Sequence, residues 1–258
     1  MTMRWRFSEA EFYTLWMDQA KDELPDPFLF TSATRTADEL EAELRVAREG
    51  LSRKQVGDFH LLFDAMVNPD LYLTASGWNE QDRFGKNSVT SLRATRKGAK
   101  GYVITQLSGE TYWHRGGYTV VECDPLRLAD AVVDAMPAVE SGRRGAIELD
   151  ADEDGLDREF GRSVVSAPAG TAIARARAFF GTEVTTAGSI EIVQGRSIYG
   201  PRGVTRHQVG FRDLTDDGRY VLTENPAQAR GVDRAGFVSV LNGYVAEVIR
   251  VIKDERGQ

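Results

Sequence analysis

The sequence predicts a mixed α/β (α+β) fold in which two duplicated helix–sheet units, related by a quasi-twofold, share one central, mostly antiparallel sheet with flanking helices. Three observations carry that prediction. The chain nearly repeats itself, with Tyr72 matching Ile190 and Tyr102 matching Tyr220 at one and the same separation. Each copy runs helix, strand, hairpin, helix. The hairpin connections are too short for the crossovers that parallel strands require. The expected organisation is a first copy over 1–138 that includes the N-terminal helices, a partly disordered linker over 139–170, and a second copy over 171–258 that ends in the last helix.

The first helix is signposted by Ser8 and Glu11, whose side chains can each satisfy the other's orphan amide in a capping box, with Phe7 and Phe12 placed for a hydrophobic staple. Phe12, Leu15 and Trp16 give one apolar face. The helix should stop before Pro25, because a residue preceding proline leaves helical dihedrals. Leu24–Phe28 then reads as a rigid link and Leu29–Thr31 as a strand. Thr36 with Glu39 repeats the capping box, and Leu40, Leu44 and Ala47 form the stripe of a second helix. In the first copy a helix over Asp58–Val67, with Phe59, Leu62, Phe63 and Met66 as its apolar face, leads into a strand over Leu71–Ser76. A hairpin over Ser88–Thr95 and Gly101–Leu107 follows, then a strand over Tyr118–Cys123. Asp124 as cap and Pro125 at the first helical position open a helix that runs to Met136. The second copy reads as a helix over Ala172–Phe180, a strand over Ser189–Gln194, and a hairpin over His207–Asp213 and Arg219–Glu224. No fourth strand is expected after Glu224, and the last helix falls near Gly236–Lys253.

Composition narrows the function. With 258 residues, a charge of −7 and a pI near 5.2, the chain lacks the basic footprint of a nucleic-acid binder and the polybasic segments that anionic membranes attract. No apolar run is expected to approach the ~20 residues of a membrane span. The start, Met1–Phe7, has neither an apolar stretch nor a cleavage site of a signal peptide, and Cys123 is the only cysteine. A cytoplasmic protein without disulfides is the reading.

Motifs for catalysis are scarce. Asp150–Gly155 matches half an EF-hand loop, but the twelfth position, where a bidentate glutamate belongs, is Gly161, so the segment reads as an acidic linker. A short helix around Leu156–Phe160 is expected within it. Cys123 with Glu122 and His114 could form a thiol centre; alternatively Cys123 is a small buried hydrophobe and Asp124 a helix cap. The three histidines have no metal spacing, and no phosphate loop or nucleophile elbow is present. No cofactor, no metal and no catalytic residue is expected. What remains are aromatics in loops: Trp78 and Phe84 after a turn at Gly77, Tyr112, Trp113 and Tyr118 around Gly116–Gly117, and Ile198–Tyr199 in a Gly/Pro/Arg-rich loop. Such aromatics anchor protein interfaces.

The order and spacing of Trp5–Arg6–Phe7–Ser8, Glu11–Phe12, Leu15–Trp16 and Leu24–Phe28 resemble the EspG family, the secretion-associated proteins of actinobacterial type VII (ESX) systems. Pro69–Asp70–Leu71, Gly101–Tyr102, Gly116–Gly117 and Asp217–Tyr220 are similar to its internal landmarks. The resemblance implies a two-copy fold and a cytosolic chaperone without catalysis. It implies clients that are PE–PPE heterodimers, held by the hydrophobic tip of the PPE helical bundle before export. The missing fourth strand of the second copy departs from it.

Three readings follow. The first is a specificity chaperone that masks an apolar helical tip, with Phe84, Tyr112, Trp113, Tyr199 and Phe211 as partner contacts and the last helix as a second wall. The second is an enzyme or small-ligand protein that uses the cleft between the copies. The third is a homodimer that buries the same aromatics against themselves.

Overall fold

The computed structural model describes residues 3–20, 22–54, 59–85, 88–149 and 171–257. Its framework is a ten-stranded sheet with every ladder antiparallel: β1 (Arg4–Phe7), β2 (Leu71–Asn79), β3 (Val89–Lys97), β4 (Lys100–Gln106), β5 (Tyr118–Cys123), β6 (Ile147–Glu148), β7 (Val184–Gln194), β8 (Arg206–Leu214), β9 (Gly218–Glu224) and β10 (Ala227–Gly231). The order β1-β5-β4-β3-β2-β7-β8-β9-β10-β6 places two five-strand halves back to back, joined by the β2–β7 ladder.

Among the described residues six α-helices flank the sheet: α1 (Glu9–Ala20), α2 (Ala37–Arg53), α3 (Phe59–Val67), α4 (Leu128–Ala135), α5 (Ala172–Phe180) and α6 (Arg234–Glu255). The first capping box closes as the sequence reads: Ser8 N donates to Glu11 Oε2 at 2.8 Å and Glu11 N to Ser8 Oγ at 3.1 Å. The second closes on one side only. Glu39 N reaches Thr36 Oγ1, while the Glu39 carboxylate accepts from Arg35 N.

Both faces of the sheet carry cores. One is covered by α4 and α6, whose Leu128, Val132, Phe237, Leu241 and Val248 pack on Leu71, Leu73, Leu92, Val103, Ile190 and Val209. On the other face α1 and α3 cover β4 and β5, burying Phe12, Trp16, Leu62 and Met66 with Tyr102 and Tyr118. There α5 covers the far half, with Phe179 on Tyr220 and Leu214. That second face is therefore roofed at its flanks, α3 reaching as far as β3, and among the described residues no helix lies over its centre at β2 and β7.

The structure corrects several expectations. The second half does have a fourth strand, β10, disguised because its segment Ala227–Gly231 carries one buried side chain, Ala229. Tyr102 and Tyr220 do correspond, each fully buried on the flank-roofed face two residues beyond its hairpin. Tyr72 and Ile190 do not: Tyr72 stands opposite Val193, whereas Ile190 stands opposite Ala75 and faces the α4–α6 core. A one-residue slip exchanges faces. Leu29–Thr31 pairs with no strand among the described residues; Leu29 instead exchanges hydrogen bonds with the Gln106 side chain. Asp124–Pro125 forms a turn, with Asp124 Oδ1 accepting from Leu126 N, and α4 starts at Leu128. Gly77 lies inside β2 rather than at a turn. By length and composition α6 is apolar enough to cross a membrane, contrary to expectation, and it packs Phe237, Leu241 and Val248 into the core. The first part of the expected linker is ordered on the sheet through β6 and a bridge from Ser141 to Arg219. The half EF-hand loop at 150–155 and the helix expected at 156–160 lie outside the described residues.

Candidate functional site

The uncovered centre of the sheet is the floor of a groove of about 480 Å³. Its floor follows from alternation. In β2 the odd positions Leu71, Leu73 and Ala75 point into the α4–α6 core, so the even positions Thr74, Ser76 and Trp78 point to the groove. Their cross-strand partners continue each row over β3 and β7: Arg93–Thr74–Glu191, Ser91–Ser76–Ser189 and Val89–Trp78–Ala187. On the opposite side of the same strands Gly77 pairs with Gly188, and the Phe211 ring packs against both.

Two loops raise the rim. Asn79 Oδ1 accepts from Gln81 N and Asp82 N, turning the chain after β2, and Gln81 Nε2 reaches Glu183 across the two halves at 2.7 Å. Trp78 Nε1 donates to Glu80, which also binds Arg83 and whose carboxyl that guanidinium holds below the usual range. Thr111 Oγ1 accepts from Trp113 N and His114 N and bends the other loop, between β4 and β5. Phe84 meets Tyr112 edge-on at 6.1 Å, Tyr112 meets Trp113 at 4.8 Å, and the Arg115 guanidinium lies 4.8 Å over Tyr112.

The face carries desolvated cations. Burial pushes the guanidinium pKa of Arg93, Arg115 and Arg212 down, and the Nε of each is buried without a hydrogen-bond partner among the described residues. Arg93 sits 3.7 Å over the Tyr72 ring, and Arg212 over Phe180 at 5.2 Å. Thr74 Oγ1 is likewise buried and without a partner.

The structure thus gathers three of the five expected contacts, Phe84, Tyr112 and Trp113, at one end of the groove. Phe84 is 71 % exposed and Trp113 56 %. Tyr199 is 76 % exposed but stands beyond the other end of β7, since Leu71 to Trp78 alone spans roughly 23 Å. Its loop is held by Glu255, which accepts from Gln194 Nε2, Ser197 Oγ and Ile198 N. Phe211 is 2 % exposed and belongs to the core, so it offers no contact surface. Nor can α6 wall this groove, because it packs on the opposite face. Sequence reading missed Thr74, Ser76 and Arg115, and it put Trp78 in a loop rather than on the sheet. The signal was available in Leu73–Ser76, where apolar and polar side chains alternate.

The alternative thiol centre is dispersed. Cys123 ends β5 and His114 precedes its start, roughly 20 Å away along the strand. Burial, with the charges of Asp124 and Glu122, pushes the thiol up to about 11. Glu122 is taken by Lys100 at 2.7 Å. No group of metal-ligating side chains occurs among the described residues.

Comparison with known proteins fits this architecture. The model of the EspG family matches residues 8–234. The curated proteins give no match. Among solved structures, that of the Mycobacterium tuberculosis type VII secretion system chaperone EspG5, in complex with a PE25–PPE41 dimer, has a similar fold. Identity is 14 % and the TM-score 0.53, over 94 % of this chain and 96 % of that one.

Proposed function

The chain belongs to the EspG family, and from that premise we propose that it is a cytoplasmic specificity chaperone for a PE–PPE-type secretion substrate of a type VII system. The single observation that carries this reading is the groove over the sheet centre, without a helical roof among the described residues, with Phe84, Tyr112 and Trp113 at its rim. A soluble protein seldom leaves clustered aromatics in water beside a groove unless a partner covers them. Residues 1–138 and 171–258 are the two copies in this reading, and the groove takes lining residues from both. The fold likeness to a chaperone held in complex with a PE25–PPE41 dimer supports a helical client. Holding such a tip needs shape and apolar contact and no chemistry.

The test is a pull-down of the tagged chain from its native cytosol, with mass spectrometry of what co-elutes. A stoichiometric PE–PPE-type pair is expected. Recovery of the chain alone, or of unrelated enzymes only, would count against the proposal. Sedimentation of the purified chain separates the homodimer reading, which requires self-association that Phe84→Ser abolishes.

A further inference from the structure

Taking the chaperone reading as given, we infer that the groove grips its client by the carbonyl-bearing C-terminal end of a helix, with the serine–threonine floor and Arg115 as donors. An apolar tip alone would call for an apolar floor. Here only one row of the floor, Val89–Trp78–Ala187, is apolar; the next is Ser91–Ser76–Ser189, with Thr74 one row behind, small and hydroxylated. Thr74 lines the groove and is more than nine-tenths buried, and its hydroxyl has no partner among the described residues. An orphaned buried hydroxyl is costly, and an acceptor on a ligand in the groove would complete this one.

Unpartnered donors give the character of the missing partner. Arg83 and Arg115 line the groove, while Arg93 lies over Tyr72 and Arg212 over Phe180, outside its lining. Against them stand Glu80, bound to Arg83, Glu191, bound to Arg206, and Asp26. Glu9 lies behind Arg115 with its carboxyl pushed up to about 7, mainly by burial, which leaves it only partly charged at neutral pH. Arg115 lines the groove with no carboxylate in salt-bridge contact among the described residues. The lining charges balance, Arg83 and Arg115 against Asp26 and Glu191, and what is left over is donors: the Arg115 Nε–H and the Thr74 hydroxyl, both without a partner among the described residues. The end of a helix supplies the complement: up to four carbonyls without intrahelical partners and about half a negative charge. A groove of about 480 Å³ admits one helix end between the rim aromatics and not a bundle.

The test uses the full chain and the PE–PPE pair that co-elutes with it. Thr74→Val keeps shape and removes the hydroxyl, and Ser76→Ala/Ser189→Ala removes the middle of the row. Each is expected to weaken client binding roughly five- to tenfold while the free protein melts no lower, the Thr74→Val protein if anything higher. A purely structural threonine would lower the melting point instead. Phe84→Ser is run beside them. If it abolishes binding and the hydroxyl variants leave affinity unchanged, the floor is not a recognition element and the inference falls while the chaperone reading stands. If Phe84→Ser also binds normally, the groove reading itself falls. Raising salt from 50 to 300 mM should change affinity less than threefold when backbone carbonyls are the acceptors; a steep loss would mean that a carboxylate occupies the groove instead.

Discussion

Gly77 stands directly opposite Gly188 across β2 and β7, and the Phe211 ring fills the space their side chains would need. A Cβ on Gly188 would lie 2.6 Å from Phe211 Cζ, and one on Gly77 2.7 Å from the same atom. The ring cannot retreat, because it packs on Phe237 of α6. Gly188→Ala should therefore cost about 1–3 kcal/mol by overpacking, and Phe211→Ala about 3–5 kcal/mol by cavity formation. Denaturant midpoints for the two variants check this. An unshifted midpoint for Gly188→Ala would mean that the ladder at the centre of the sheet is looser than it looks.

Asp213 and Arg219 form a two-pronged ion pair across β8 and β9, at 2.7 and 2.8 Å, with 3 % and 5 % of their side chains exposed. The guanidinium lies over the rings of both Phe211 and Phe237. Removing one partner strands a buried charge, so Asp213→Ala should destabilise by about 3–5 kcal/mol. Replacing both by apolar residues of similar volume should cost much less. A double-mutant unfolding cycle separates these outcomes.

Where sequence and structure part, local pattern competes with neighbours it cannot see. The capping box at Ser8 and Glu11 was legible because both its groups lie within one turn. The hairpins were legible because their connections are short. β10 was not: Ala227–Gly231 earns its place by pairing with β9 and β6, an edge that few of its own side chains announce. Phe211 looked like a surface aromatic because its burial depends on two glycines on two other strands, Gly77 of β2 and Gly188 of β7. In the same way Tyr199 joined the other aromatics by composition alone, and only the course of β7 sends it to the far end.

Glu9, in the first turn of α1, has its carboxyl pushed up to about 7, chiefly by burial and against the help of the Arg115 backbone N–H. The nearby Glu43 pushes in the same direction as burial, and the Arg115 charge opposes it. A carboxyl with a raised folded pKa binds its proton more tightly when folded. Its contribution to stability is complete below about 4.5 and is lost as pH rises through 7. Stability measured from pH 4.5 to 8 should decline less steeply in Glu9→Gln than in the parent. Parallel curves would show that Glu9 ionises normally.

Cys123, partly buried against the α4–α6 core, should behave as an unreactive hydrophobe. With its thiol pushed up to about 11, the thiolate fraction at pH 8 is on the order of one in a thousand. Native protein should react with a thiol-specific disulfide reagent many times more slowly than unfolded protein, and alkylation should follow unfolding. Fast labelling of the native state would revive the thiol-centre reading.

The split between the two exposed aromatic sites gives the last prediction its force. Phe84 and Trp113 sit on the groove rim, while Tyr199 sits at the other end of the central strands. All three are more than half exposed, so changing any of them to serine should alter stability by no more than about 0.5 kcal/mol. Binding should discriminate where stability does not. Phe84→Ser and Trp113→Ser are expected to weaken client binding by at least tenfold each, the range of interface anchors, and Tyr199→Ser to leave it unchanged. Calorimetric titration with the co-eluting pair measures this. A loss confined to Tyr199→Ser would move the client to the loop that Glu255 holds and leave the groove for another ligand.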